Sequence, residues 1–133
     1  MQAAELMGFN LAIGAPSAYA PVDLADYPNS RHETDPFAAV AGADLVVTDV
    51  WASMGMEDEQ DMRLSDFRAY QVNEALMAEA GEDALFMHCL PAHRGEEATA
   101  EVIDGDRSVV WEEAENRLHA QKALLEWLVS GTA

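Results

Sequence analysis

Side chains able to do chemistry fall in three short segments of this 133-residue sequence. The first segment contains Asp49, which follows an apolar run and precedes Ser53 and Met54. A carboxylate at the end of a strand can accept charge-assisted hydrogen bonds from an amino group of a ligand. Asp49 is also suited to cap a helix or close a turn, and Ser53 and Met54 alone are ordinary loop residues. Spacing alone leaves both interpretations open.

The second segment has Cys89 and Leu90 between His88 and His93. Cys89 could be a nucleophile, a metal ligand, a polar contact or a buried structural residue. A nucleophile needs a base held by a third group, which spacing cannot show. A structural zinc site needs four nitrogen or sulfur ligands, and this sequence has one cysteine. The pattern therefore favours neither a nucleophile nor stable metal binding.

The third segment places Arg117 among acidic residues in a helical stretch. An arginine in that setting is most often half of a surface ion pair, which contributes little to stability. Contact with a ligand is the alternative.

An alternation of strands and helices would bring these segments together. Short apolar runs predict four strands, at Phe9–Ala15, Ala43–Val50, Ala84–Cys89 and Ser108–Trp111. Helical patterns lie at Gln2–Met7, Phe37–Ala41, Val72–Ala80, Glu96–Ile103 and Glu112–Val129. Such an order predicts an α/β fold, a three-layer doubly wound parallel sheet of Rossmann-like type covered on both faces. Ligands bind such sheets at the carboxyl ends of the strands, where the three segments begin.

The intervening segments Ser17–Thr34 and Trp51–Arg63 are predicted to be loops, the first with at most one helical turn. Asp35 ahead of Pro36 predicts a helix N-terminus. Because the chain opens on a helical pattern with no strand before it, we expect a sheet that is incomplete at its N-terminal edge.

Charge and composition restrict the class of protein. Seven Lys and Arg against 25 Asp and Glu give a net charge of −18. This charge repels nucleic-acid phosphates and anionic lipid surfaces, so we expect neither nucleic-acid nor membrane partners. Hydrophobic residues make up 50% of the chain, enough for one packed core. One cysteine and no apolar run of about 18 residues favour a cytoplasmic protein.

Three longer motifs contain the reactive segments: TDVWASMG (Thr48–Gly55), HCLPAHRGEE (His88–Glu97) and WEEAENRLHAQKALL (Trp111–Leu125). In this order and spacing they resemble the ornithine carbamoyltransferase family. The opening GFNLAIGAPSAYAP is similar to a strand region of that family's C-terminal domain. The resemblance covers nearly the whole chain and implies that residues 1–133 form the ornithine-binding domain, without its first strand.

The resemblance implies roles for five residues on the ornithine side of the site. Asp49, Ser53 and Met54 resemble the loop that holds the α-amino and carboxylate groups of ornithine. Cys89 and the backbone of Leu90 resemble the loop that meets the side-chain amine and the carbamoyl group. By the family's convention Asp49 accepts a proton and Cys89 donates one.

Arg117 resembles the arginine that reaches carbamoyl phosphate, and the donor fork of a guanidinium suits phosphate geometry. The implied reaction is attack of the neutral ornithine δ-amine on the carbamoyl carbon, giving citrulline and phosphate. It uses no metal and no organic cofactor. The family also implies a homo-oligomer, a trimer, for the full-length enzyme.

The family's carbamoyl-phosphate motif, Ser-Thr-Arg-Thr-Arg, does not occur among the 133 residues. Two functions therefore stay open. The chain is either part of an ornithine carbamoyltransferase or a non-catalytic ornithine-binding half, or truncated product, that needs a separate carbamoyl-phosphate domain.

Overall fold

A computed structural model describes residues 1–52 and 57–131, without the side chains of residues 57–60. The strands are β1 (Leu11–Gly14), β2 (Ser30–Glu33), β3 (Leu45–Thr48) and β4 (Leu85–His88). The α-helices are α1 (Gln2–Met7), α2 (Pro36–Val40), α3 (Glu57–Phe67), α4 (Glu74–Glu79), α5 (Ala100–Ile103) and α6 (Val110–Ser130). Single 3-10 turns occupy Ser17–Tyr19, Leu24–Asp26 and Arg68–Tyr70. This mixture of helices and parallel strands confirms the α/β fold class.

Strand pairing is parallel throughout the described residues. β1 pairs with β2, and β3 pairs with β4. The β3–β4 register ends with Thr48 opposite His88. Asp49 and Cys89 each follow one of these residues, so both leave the sheet at the same carboxyl-terminal edge.

Several helices begin where the sequence places a cap. The Asp35 carboxylate accepts a hydrogen bond from the Phe37 N–H at 2.9 Å, with Pro36 at the first helical position of α2. The Asn73 side chain caps α4 in the same way, accepting from the Leu76 N–H at 2.9 Å. At the end of α1, Gly8 adopts a left-handed conformation with φ of 74°, which residues with a Cβ rarely adopt.

The core lies on one face of the β3–β4 pair. Phe86 of β4 is completely buried against residues of α4, α5 and the first turn of α6, including Met77, Ile103 and Val110. On β3 the burial alternates, because Val46 is buried whereas Val47 is 61% exposed. Within the described residues the side chain of Val47 is therefore not covered, whereas that of Val46 packs in the core.

Three predicted elements differ from the structure. Ser108–Trp111 is not a strand, because Ser108 makes only an isolated bridge to Phe86 and α6 begins two residues later. Acidic residues in the first turn of α6 favour that helix N-terminus. The predicted loop Trp51–Arg63 contains the start of α3, whose polar sequence hides any apolar periodicity. β2 was predicted as loop because its sequence, Ser-Arg-His-Glu, has no apolar alternation.

Within the part of the chain that is described, none of the helices combines the length and apolar character of a bilayer span.

Candidate functional site

Asp49 and Cys89 meet at the carboxyl-terminal edge of the β3–β4 pair. The Cys89 thiol donates to Asp49 Oδ1 at 3.1 Å, and the same oxygen accepts the Val50 N–H at 2.7 Å. Both residues are exposed to solvent. Asp49 Oδ2 receives no hydrogen bond from the described residues, so it is the oxygen available to a ligand. The interpretation of Asp49 as only a helix cap or turn residue does not explain this contact.

The surroundings of Cys89 favour its neutral thiol over the thiolate. Its hydrogen bond to Asp49 raises the pKa of the thiol, and partial burial and the charges of Asp49 and Glu113 raise that pKa further. Because a thiolate is the nucleophilic form, this environment argues against covalent catalysis by Cys89. It favours a neutral hydrogen-bonding contact. The alternative of a buried structural cysteine is wrong, because Cys89 is exposed.

Helix α6 brings charged residues toward this pair. Glu113, in its first turn, is close enough for its charge to raise the pKa of Cys89. Arg117 lies four residues later, so it shares a helix face with Glu113. Arg117 is exposed, and within the described ranges it makes neither a hydrogen bond nor an ion pair. The surface-ion-pair interpretation therefore has no partner in the described structure, and no contact joins Arg117 to Asp49 or Cys89.

Leu90 is held by a buried pair that sequence reasoning did not find. The Leu90 N–H donates to Nδ1 of His88 at 2.9 Å. The other ring nitrogen of His88 lies 3.1 Å from Oε1 of Glu97, and both side chains are completely buried. The signal was present, because a histidine that ends an apolar strand needs a buried polar partner. Glu97 was not recognised as that partner, because it was assigned to the predicted helix Glu96–Ile103, whose pattern does not show that this carboxylate is buried. The helix of the structure begins only at Ala100.

Ser53 and Met54 lie outside the described residues, so their predicted contacts with ornithine stay predictions.

Two groups of side chains have metal-ligand chemistry, with ligand atoms within 4.8 Å of one another. In the group Asp49, His88 and Cys89, both nitrogens of His88 already make hydrogen bonds. In the group His93, Glu96 and Glu97, the oxygen Glu97 Oε1 already accepts the His93 N–H and lies within hydrogen-bond distance of His88 Nε2. The expectation of no metal and no cofactor stays a prediction.

A polar pair at the carboxyl ends of paired parallel strands lies where α/β domains usually bind small molecules. The model of the family "Aspartate/ornithine carbamoyltransferase, Asp/Orn binding domain" matches residues 1–128. The chain belongs to this family, which confirms the resemblance drawn from its three motifs.

Curated relatives and solved structures agree with this family. The ornithine carbamoyltransferases of Halorhodospira halophila and Methylococcus capsulatus are 59% and 61% identical to the chain, covering 98% of it. The crystal structure of ornithine carbamoyltransferase from Burkholderia thailandensis E264 is 50% identical with a TM-score of 0.82, covering 96% of this chain and 41% of that one. The crystal structure of the anabolic ornithine carbamoyltransferase from Campylobacter jejuni is 34% identical to the chain with a TM-score of 0.86, covering 97% of this chain and 46% of that one. The chain spans 45% of the length of the first two relatives.

Proposed function

We propose that residues 1–133 form the ornithine-binding domain of an ornithine carbamoyltransferase, which transfers the carbamoyl group of carbamoyl phosphate to ornithine. The observation that carries the proposal is the Cys89–Asp49 hydrogen bond of 3.1 Å at the ends of two paired strands. This bond brings together two motifs whose bonded residues lie 40 positions apart in the sequence. A carboxylate and a thiol are side chains that can hydrogen-bond to an amine ligand. The high identity to enzymes named ornithine carbamoyltransferase supports the choice of ornithine.

Asp49 is proposed to bind the α-ammonium group of ornithine through Oδ2, because Oδ1 already accepts hydrogen bonds from two donors. Ser53 and Met54 belong to the same connection after β3 and are proposed to complete the site for the α-amino and carboxylate groups. The Cys89 thiol contacts Asp49 at the end of the adjacent strand, and Leu90 follows Cys89 in the same loop. They are proposed to contact the side-chain amine and the carbamoyl group.

The chemistry assigned to these residues is direct amine attack. The neutral δ-amine forms a bond to the carbamoyl carbon, giving a tetrahedral intermediate, and the carbon–oxygen bond to phosphate then breaks. The proton lost by the amine passes to a carboxylate, for which Asp49 is the nearest candidate to Cys89. Arg117 is proposed to stabilise the negative charge on the departing phosphate by its guanidinium donors. Cys89 acts as a neutral thiol, consistent with its raised pKa.

A segment exchange tests this proposal. Residues 1–133 would replace the corresponding segment of the Halorhodospira halophila enzyme, and citrulline formation would be measured with ornithine and carbamoyl phosphate. The proposal predicts turnover with ornithine and none with aspartate, the other amine in the family's description. A folded chimaera that makes no citrulline would contradict it.

A non-catalytic ornithine-binding domain is the second candidate, because the described residues bring together Asp49 and Cys89 of the proposed ornithine site but show no contact of Arg117, the proposed phosphate ligand, with either of them. Calorimetric ornithine binding by the 133-residue chain, together with an inactive folded chimaera, would favour this second function. The proposal extends to a cytoplasmic homo-oligomer for the whole enzyme. Sedimentation of the active chimaera tests the assembly, and cell fractionation tests the location.

A further inference from the structure

The hydrogen bonds around His88 define which of its nitrogens carries a proton. The Leu90 N–H can only donate, so Nδ1 of His88, 2.9 Å away, must accept and be unprotonated. The proton of the neutral ring is then on Nε2, which donates to Glu97 Oε1 at 3.1 Å. If the ring were protonated at Nδ1, the hydrogen on Nδ1 would point at the hydrogen of the Leu90 N–H, and no hydrogen bond could form. The pair therefore selects one tautomer of one buried histidine.

The residue held by this ring has an unusual backbone. Leu90 has φ of 54°, and within the described residues it alone, glycines aside, has a positive φ. A leucine rarely adopts this left-handed region, so neighbouring contacts must maintain it. The hydrogen bond from the Leu90 N–H to His88 is such a contact, because it restrains the backbone of Leu90 directly after Cys89.

Glu97 fixes the other end of the same loop. Its Oε1 also accepts the His93 N–H at 2.6 Å, so one buried oxygen binds both the start and the end of the segment 88–93. The backbone of Glu97 is fixed as well, since its carbonyl accepts the Val72 N–H at 2.9 Å. The loop that carries Cys89 and Leu90 is thus closed over a fully buried carboxylate.

We infer that His88 and Glu97 are positioning residues, which hold the backbone of Leu90 in the conformation that meets the reacting groups. The role in catalysis rests on the proposed function. Neither side chain can touch a substrate, because both are completely buried. They act through Leu90, whose displacement by about 1 Å would lower kcat on the order of 100-fold.

Two substitutions of His88 separate the two hydrogen bonds. In His88→Asn the amide oxygen is as many bonds from the backbone as Nδ1, so it can accept from Leu90 but cannot reach Glu97. In His88→Gln the amide nitrogen replaces Nε2, so it can donate to Glu97 but leaves the Leu90 N–H without its acceptor. The stability of the two variants and their activity should therefore run in opposite orders.

We expect His88→Gln to unfold at the higher temperature of the two, because it keeps a second donor to Glu97 Oε1, which in His88→Asn retains only the His93 N–H. In the citrulline-forming chimaera we expect its kcat to be the lower by about 10- to 100-fold, with the smaller change in KM. A purely structural role would make the less stable variant the slower one. An activity order that follows stability would overturn the inference.

Measurements on the 133-residue chain keep this test separate from the proposed function. Nitrogen-15 spectra of the unsubstituted chain should show the His88 ring protonated at Nε2 alone at neutral pH, and the Leu90 amide should exchange slowly with deuterium. In His88→Gln that amide should exchange faster. A ring protonated at Nδ1, or an unprotected Leu90 amide, contradicts the inference whatever the chimaera does. An inactive chimaera with the expected spectra contradicts only the proposed function and the catalytic role that rests on it.

Discussion

Replacing Asp49 by asparagine removes one charge from the proposed ornithine site and leaves its shape nearly unchanged. The amide oxygen of Asn can still accept the Val50 N–H that Oδ1 accepts at 2.7 Å. What is lost is the negative charge beside Cys89 and the carboxylate oxygen Oδ2. The substitution therefore tests the two proposed roles that need the charge of Asp49, ammonium recognition and proton acceptance, and not the path of the loop.

The expected effect follows from the strength of a hydrogen bond to a charged group. Such a bond contributes about 1.5 to 3 kcal/mol, which at about 1.4 kcal/mol per tenfold corresponds to a roughly 10- to 150-fold weaker interaction. Asp49 is exposed in the described structure, and solvent screening favours the lower half of this range. We expect the KM for ornithine to rise by a factor in the lower half of this roughly 10- to 150-fold range, and the KM for carbamoyl phosphate to change little.

The assay is citrulline formation by the segment-exchange chimaera, with each substrate varied in turn. Asp26→Asn is the matched control, because Asp26 is also an exposed aspartate but lies in a 3-10 turn before β2. That control should leave both KM values within about twofold, as expected of a distant surface charge. Unchanged ornithine KM in the Asp49 variant, or an equal rise in the control, would refute the assignment of Asp49.

Three further predictions concern the thiol, the core and the last helix. In Asp49→Asn the Cys89 thiol loses the negative charge that helps to raise its pKa, so its alkylation by iodoacetamide should reach half-maximal rate at a lower pH; an unchanged or higher midpoint would count against the thiol–carboxylate bond. Phe86→Ala should lower the free energy of unfolding by about 3 to 5 kcal/mol in urea titrations, because this side chain is fully buried, and a loss below about 1 kcal/mol would place the core elsewhere. Helix α6 exposes Trp127 and Leu128 by 51% and 61%, so the isolated chain should self-associate in sedimentation runs and Trp127→Lys should reduce that association; a monomer at all concentrations would contradict this.

The sequence predicted those elements whose signals are local. β1, β3 and β4 are short apolar runs, and α2 follows an Asp-Pro cap that the structure retains. β2 and α3 escaped prediction because their polar sequences carry no apolar periodicity, and their formation depends on pairing and packing with distant segments. The exposure of Val47 was also missed, because an apolar run does not reveal whether anything covers each of its faces.

The candidate site likewise has features that the sequence predicted and features that only the structure shows. Motif order placed Asp49 and Cys89 at strand ends, and the parallel register then brings them into hydrogen-bond contact. The raised pKa of Cys89 depends on that contact and on Glu113, which no spacing rule connects to residue 89. The bond between His88 and Glu97 was missed for a related reason, because a buried carboxylate is recognised only once its surroundings are known.

The most direct test of the account is a crystal structure of the segment-exchange chimaera with ornithine bound. We expect electron density for ornithine at the carboxyl ends of β3 and β4, with its α-ammonium group within about 3 Å of Asp49 Oδ2, an ordinary charge-assisted contact. Its side-chain amine should point toward Cys89 and the Leu90 backbone. Ornithine bound anywhere else, with Asp49 and Cys89 contacting only each other, would contradict the central claim.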